Sequence, residues 1–111
     1  MDIHCVHLLC DVEDWYQSSV DFDAPITERV VRNTERILAI LDRRIVKGTF
    51  FLCKGRVAET FPHLVTTACR EGHEIQPNGY SHRPLNKMDR KELQIELELA
   101  RKPLRMLVVQ E

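Results

Sequence analysis

From Ile3 to Val12 the chain carries Val, Leu and Ile without helical spacing, and the run closes in a polar cluster. That pattern reads as a buried strand. Ser18 to Pro25 is polar, with Asp21, Asp23 and Pro25, and reads as a loop. Val30, Thr34, Ile37, Leu38, Leu41 and Ile45 then recur at three- and four-residue steps. They form one apolar stripe, the mark of an amphipathic helix. Arg29, Arg32, Arg36 and Arg43 fall off the stripe, and Thr27 is the expected N-cap.

Lys47-Gly48 breaks the pattern, and Thr49 to Leu52 (TFFL) is β-branched and aromatic, so a second strand is expected. Gly55 to Glu59 starts a short helical turn. Pro is welcome only in a first turn, so a new helix is expected from Pro62 to Glu71. Leu64, Val65 and Ala68 form its inner face, and Gly72 ends it. His73 to Gln76 reads as a third strand and Pro77 to Asn86 as a loop. Asp89 and Glu92 make a D-x-x-E capping box for a helix continued by Leu93, Leu97 and Ala100. Pro103 should end that helix, leaving Leu104 to Val109 as a fourth strand. The order β-α-β-α-β-α with short connections implies an α/β fold with parallel strands and right-handed crossovers. It also brings the ends of the strands, with Asp11 to Asp14 and Asn78 to His82, to one rim.

The chain has 111 residues, 43% hydrophobic and 30% charged, as expected of one small globular domain. A formal net charge of −1 gives no footprint for nucleic acid. No apolar run approaches the ~18 residues that span a bilayer. No basic stretch followed by a long apolar core opens the chain, so as written it is expected to stay in the cytoplasm. The four cysteines, at positions 5, 10, 53 and 69, form no CxxC pair, which argues against a zinc knuckle. Cys10, Cys53 and Cys69 are expected to be reduced and buried.

The candidate chemistry lies in LLCDVEDWYQ, residues 8 to 17, where Asp11, Glu13 and Asp14 follow an apolar run. Carboxylates at a buried strand end must be paired or hold a metal. Asp11 and Glu13 can alternatively cap the next turn or pair with arginines. Trp15 and Tyr16 follow at once, placed either to stack on a sugar ring or to pack at the rim. At the third strand end, HEIQPNGYSHRPL (73 to 85) sets Asn78 and His82 four residues apart. Joined to a carboxylate from the first strand, they supply three ligands for one divalent ion, which leaves a fourth position for water. Asn78 can equally be a turn residue.

DVEDWYQ, RNTERILAILDRRIVKGTFFL, GRVAETFPHLV and EGHEIQPNGYSHRPL together resemble the N-terminal part of the polysaccharide deacetylase (NodB-homology) family. The Asp-Val-Glu-Asp start is most similar to the exosortase-associated subgroup, and the resemblance spans about residues 7 to 100. It implies a distorted (β/α) barrel that removes N- or O-acetyl groups from sugars, usually with a divalent metal such as zinc. By this resemblance Asp11 is the general base and Glu13 the acidic metal ligand, with Asp14 the fallback. His82 matches the second histidine of the family's Ser-His-Gly-x-x-His turn. Asn78 stands where the first should be, and Pro77 where Ser is usual.

Two departures matter. An amide oxygen replaces imidazole at position 78, and zinc prefers nitrogen or sulfur. A full barrel of this type takes roughly 250 residues, so the whole chain, 1 to 111, is expected to be a truncated domain of about three β/α units. The expectation is a hydrolase for N-acetylated polysaccharide or oligosaccharide with little turnover of its own. The competing expectation is a non-catalytic carbohydrate binder, or a fragment that self-associates through its open half-barrel. A third is a gene product without function.

Overall fold

Leu9, Cys10 and Val12, with Asp11 between them, set the first strand, β1 (Leu9–Val12), whose side chains alternate between open space and the interior. The computed structural model describes residues 6–109, apart from the side chains of 52–55 and 103–109. The expected start of β1 at Ile3, with His4 and Cys5, lies outside the described residues, as does the side chain of Cys53. After β1 come a short helix α1 (Trp15–Ser19) and the long helix α2 (Arg29–Arg44). Then follow β2 (Thr49–Cys53), α3 (Lys54–Thr60), α4 (Pro62–Arg70) and β3 (Glu74–Asn78). A 3-10 turn (Leu85–Lys87) leads into α5 (Arg90–Val109).

The strands form a parallel sheet in the order β1-β2-β3. This is the α/β architecture of a partial (β/α) barrel, with three parallel strands as the sequence pattern implies. Register fixes the rows: Asp11 lies beside Phe51 and then Gln76, while Cys10 lies beside Phe50 and then Ile75. One sheet face therefore carries Cys10, Val12, Phe50 and Ile75, and the helices pack there. Val12, Val30, Leu38, Leu41, Phe50, Leu64, Val65 and Ala68 are buried in that core, joined by Val57 and Ala58 from α3. The opposite face carries Leu9, Asp11, Phe51, Glu74 and Gln76, all exposed or half-buried. Polar links run across it from Thr49 Oγ1 to Glu74 Oε2 (3.0 Å) and from Gln76 Nε2 to Glu74 Oε1 (2.7 Å).

Several local expectations are corrected. Ser18 and Ser19 belong to α1, not to a loop, because Asp14 caps that helix: its carboxylate accepts from the Tyr16 and Gln17 amides. Thr27 does not cap α2. Glu28 occupies the cap position without a side-chain bond, and the Thr27 hydroxyl goes to Asp14 instead. Ile45 is exposed at the left-handed end of α2 and not part of its buried stripe, because the chain must turn there to enter β2. β3 starts one residue later than expected and takes in Pro77 and Asn78. Pro is tolerated at the end of a strand that has one sheet neighbour. α5 continues through Pro103 to Val109, so Leu104 to Val109 is helix rather than a fourth strand. Leu, Arg and Met, which fill 104–107, are among the better helix formers, whereas only Val108 and Val109 favour strand. Asp89 caps α5 as expected, with Glu92 N donating to Asp89 Oδ1 (2.8 Å). Leu97, however, is exposed, and Glu96 turns inward in its place. Cys10 and Cys69 are half-buried rather than buried. Among the described residues no helix is long and apolar enough to cross a membrane.

Candidate functional site

The parallel order sends the chain out of β1 and β3 at the same end of the sheet, where the strands finish. After β1, Asp14 turns the backbone into α1. Asp14 is buried and not solvated as a surface acid would be: Oδ1 accepts from Tyr16 N (3.1 Å) and Gln17 N (3.5 Å). Oδ2 accepts from Thr27 N (2.9 Å) and Thr27 Oγ1 (2.5 Å). Burial pushes this carboxyl up, but the hydrogen bonds, led by the Thr27 hydroxyl, outweigh it and hold it below the usual carboxylate value. With both oxygens committed, Asp14 is a structural acid, not a reserve ligand.

α1 is then tied to the segment after β3. Gln17 is fully buried, and its Nε2 donates to the Phe22 carbonyl (2.9 Å) and to the Ser81 carbonyl (3.0 Å). Arg56 on α3 donates to the carbonyls of Phe22 (2.6 Å) and Ala24 (3.1 Å), which fixes the loop between α1 and α2. His82 closes the assembly. Its Nδ1 lies 2.7 Å from the Ser18 carbonyl, which can only accept, so Nδ1 carries the proton. Nε2 thereby points at Glu13, 3.5 Å from Oε2, an oxygen that is itself shut off from solvent. His82 has φ +68°, rare for a non-glycine residue and typical of positions where surroundings enforce a working geometry.

Glu13 and His82 thus come together from opposite ends of the chain. Asn78 is the last residue of β3, beside Cys53 in register, so it is a strand residue and not the turn residue considered above. The turn that follows takes its positive φ from Gly79 and is not helical. Asn78 and His82 line one cavity of about 470 Å³ with Ser18, Phe22 and Arg83. Asp11 is exposed and lines a separate cavity of about 210 Å³ that also includes Glu13 and Trp15. Glu13 therefore lies between the two spaces. Trp15 and Tyr16 are exposed at the rim with ring centroids 6.3 Å apart.

The donor set can be weighed for a metal. A tetrahedral zinc with bonds near 2.0–2.2 Å spaces neighbouring ligand atoms about 3.3–3.6 Å apart. The 3.5 Å between Glu13 Oε2 and His82 Nε2 falls in that span. A histidine that donates its other ring N–H to a backbone carbonyl is oriented as metal ligands are. Among the described residues no three His, Cys, Asp or Glu side chains gather as a metal-binding group. Glu13 and His82 are thus two strong donors at ligand spacing, one fewer than the three protein ligands of a catalytic zinc site.

Three supporting residues escaped the sequence reading. Gln17 and Ser81 carry no spacing signal. Glu96 does, lying at i−4 from Ala100 and i+4 from Glu92, but neighbouring Ile95 and Leu97 mask it. Tyr80 adds a further tie, its hydroxyl donating to Glu59 Oε2 (2.6 Å). Burial and the Glu59 carboxylate push that phenol up to about 12, so it stays a donor.

Residues 19–111 match the polysaccharide deacetylase family model. Asp11 and Glu13 precede the matched segment. No curated protein matches the chain. Among solved structures it is similar to the Bc1960 peptidoglycan N-acetylglucosamine deacetylase, with 31% identity and a TM-score of 0.68. It is also similar to a candidate polysaccharide deacetylase from Mycobacterium smegmatis, with 26% identity and a TM-score of 0.73. A family 4 carbohydrate esterase from Bacillus anthracis, 23% identical with a TM-score of 0.68, shares the fold. Each similarity covers 91% of this chain but only 41%, 38% and 41% of those proteins, respectively. With its parallel half-barrel and the family match over most of its length, the chain belongs to the polysaccharide deacetylase family.

Proposed function

We propose that this chain carries part of the active site of a metal-dependent hydrolase that removes acetyl groups from the amide nitrogen of N-acetylated sugars. Glu13 and His82 hold the divalent ion, zinc being the best match to a carboxylate and an imidazole. Asn78 sits at the degenerate third position. The observation that carries this reading is the double fixing of His82, with Nδ1 on the Ser18 carbonyl and Nε2 3.5 Å from Glu13. When bound, the ion supplies Lewis acidity for the acetyl carbonyl and lowers the pKa of water toward ~7. Asp11, exposed in the cavity it shares with Glu13, would take the proton of the attacking water on its carboxylate. Trp15 and Tyr16 offer exposed faces to the sugar. The Asp11-Val12-Glu13-Asp14 start points to the exosortase-associated subgroup.

Turnover by these 111 residues alone is low in this reading, because Asn78 weakens the metal site and the chain spans about two fifths of the deacetylase structures it resembles. Calorimetric zinc titration of the chain, of His82→Ala and of Asn78→His tests it. Asn78→His is expected to tighten binding at least tenfold, and His82→Ala to abolish it. Equal affinities across the three would overturn the ligand assignment.

A further inference from the structure

Glu96 is a carboxylate in the interior, 7% exposed on α5. Its Oε1 accepts from Tyr80 N (2.8 Å), Ser81 N (2.6 Å) and Ser81 Oγ (3.0 Å), and Oε2 lies 3.0 Å from the same hydroxyl. Buried carboxylates are costly unless such donors surround them, and hydrogen bonds to a charged acceptor are about twice as strong as neutral ones. The chain is shaped to reach it. Gly79, with φ +77°, turns the chain just before these donors. Ser81 is then held on its other side, its carbonyl accepting from Gln17 Nε2 and its hydroxyl from Arg83 N (3.3 Å). The next residue is His82, in the left-handed backbone region. That conformation is strained for a non-glycine residue and persists only where neighbours over-determine it.

We propose that Glu96 is a positioning residue: it clamps the 79–81 backbone so that His82 adopts its strained conformation and turns its imidazole between the Ser18 carbonyl and Glu13. Its bonds run to Tyr80 and Ser81, at the wall of the cavity that Asn78 and His82 also line. It acts through Ser81, one peptide away, and makes α5 part of the site's support. Only the metal readout of this assignment rests on the function proposed above; the histidine geometry does not.

The test uses the whole chain with Glu96→Gln and Ser81→Ala, and zinc alone as probe. Glutamine keeps one acceptor but removes the charge and adds a donor facing donors. Long-range ¹H–¹⁵N NMR reads the His82 tautomer without metal. Wild type is expected to show the Nδ1–H form, and Glu96→Gln a mixture of both tautomers. Zinc affinity is expected to fall 10–100-fold, as when groups that orient a metal ligand are removed. Ser81→Ala, which deletes only the hydroxyl contacts, should shift both readouts the same way and less far. A folded Glu96→Gln with the wild-type tautomer overturns the proposal. If Glu96→Gln does not fold, an unchanged tautomer in Ser81→Ala overturns it. A tautomer shift together with no zinc binding in wild type supports the positioning role and sinks the metal reading alone.

Discussion

Asp14 joins the start of α1 to the start of α2, and its removal gives the most direct check on how the site is supported. Asp14→Ala deletes an N-cap, which costs about 1 kcal/mol. It also deletes the bonds from Thr27 N and Thr27 Oγ1 to an ionised acceptor, each worth about 1.5–3 kcal/mol. Contacts that share one group do not add fully, so the expected loss is about 3–5 kcal/mol. At about 4 °C per kcal/mol for a domain of this size, the thermal midpoint should fall about 12–20 °C. Asp14→Asn should lose less, because its amide oxygen still serves one side while its NH₂ faces donors on the other. Acid sharpens the comparison. The hydrogen bonds hold the folded carboxyl below its usual value despite burial, so the unfolded chain binds this proton more readily. The stabilisation is complete above the unfolded value of ~3.9 and is lost as pH falls through the folded one. The gap between wild type and Asp14→Asn should therefore close as pH drops below ~4. Urea titrations followed by circular dichroism measure both effects. A loss under about 1 kcal/mol for Asp14→Ala, with an unchanged m-value, would refute the reasoning.

Two further outcomes follow from the buried side of the sheet. His73 is buried with its Nδ1 accepting from Gly48 N (3.0 Å), and burial, aided by the Lys47 charge, pulls its pKa down. It is neutral in the fold and protonates more easily when unfolded, so its contribution is complete above ~6.5 and is lost as pH falls below that value. Stability curves of wild type and His73→Gln between pH 7 and 5 should converge toward acid; parallel curves would rule this out. Phe50 is 1% exposed and packs edge-on against His73 with centroids 5.0 Å apart. Phe50→Ala should cost about 3–5 kcal/mol in urea denaturation, and a cost under 1 kcal/mol would mean the core collapses around it.

Periodicity made the frame legible. The α2 stripe of Val30, Thr34, Leu38 and Leu41 and the Leu64-Val65-Ala68 face follow from apolar spacing and are buried as that spacing demands, and the TFFL run forms the expected strand with Phe50 buried. The parallel order of short β-α units also implies that Glu13 and His82 share one rim of the sheet. What spacing cannot show is where a polar group finds its partner. Thr27 looks like a cap by its neighbours, yet its hydroxyl reaches back 13 positions to Asp14. Leu97 looks like core, yet Glu96 takes the inward position because the Tyr80 and Ser81 amides need an acceptor there. The left-handed backbone of His82 and its bond to Ser18, 64 residues away, arise only once the sheet has brought α1 and the 79–82 segment together. Hydrophobic burial is non-directional and repeats along the chain, so sequence alone determines it well. Hydrogen bonds are directional and join distant residues, so only the tertiary structure decides which groups form the site.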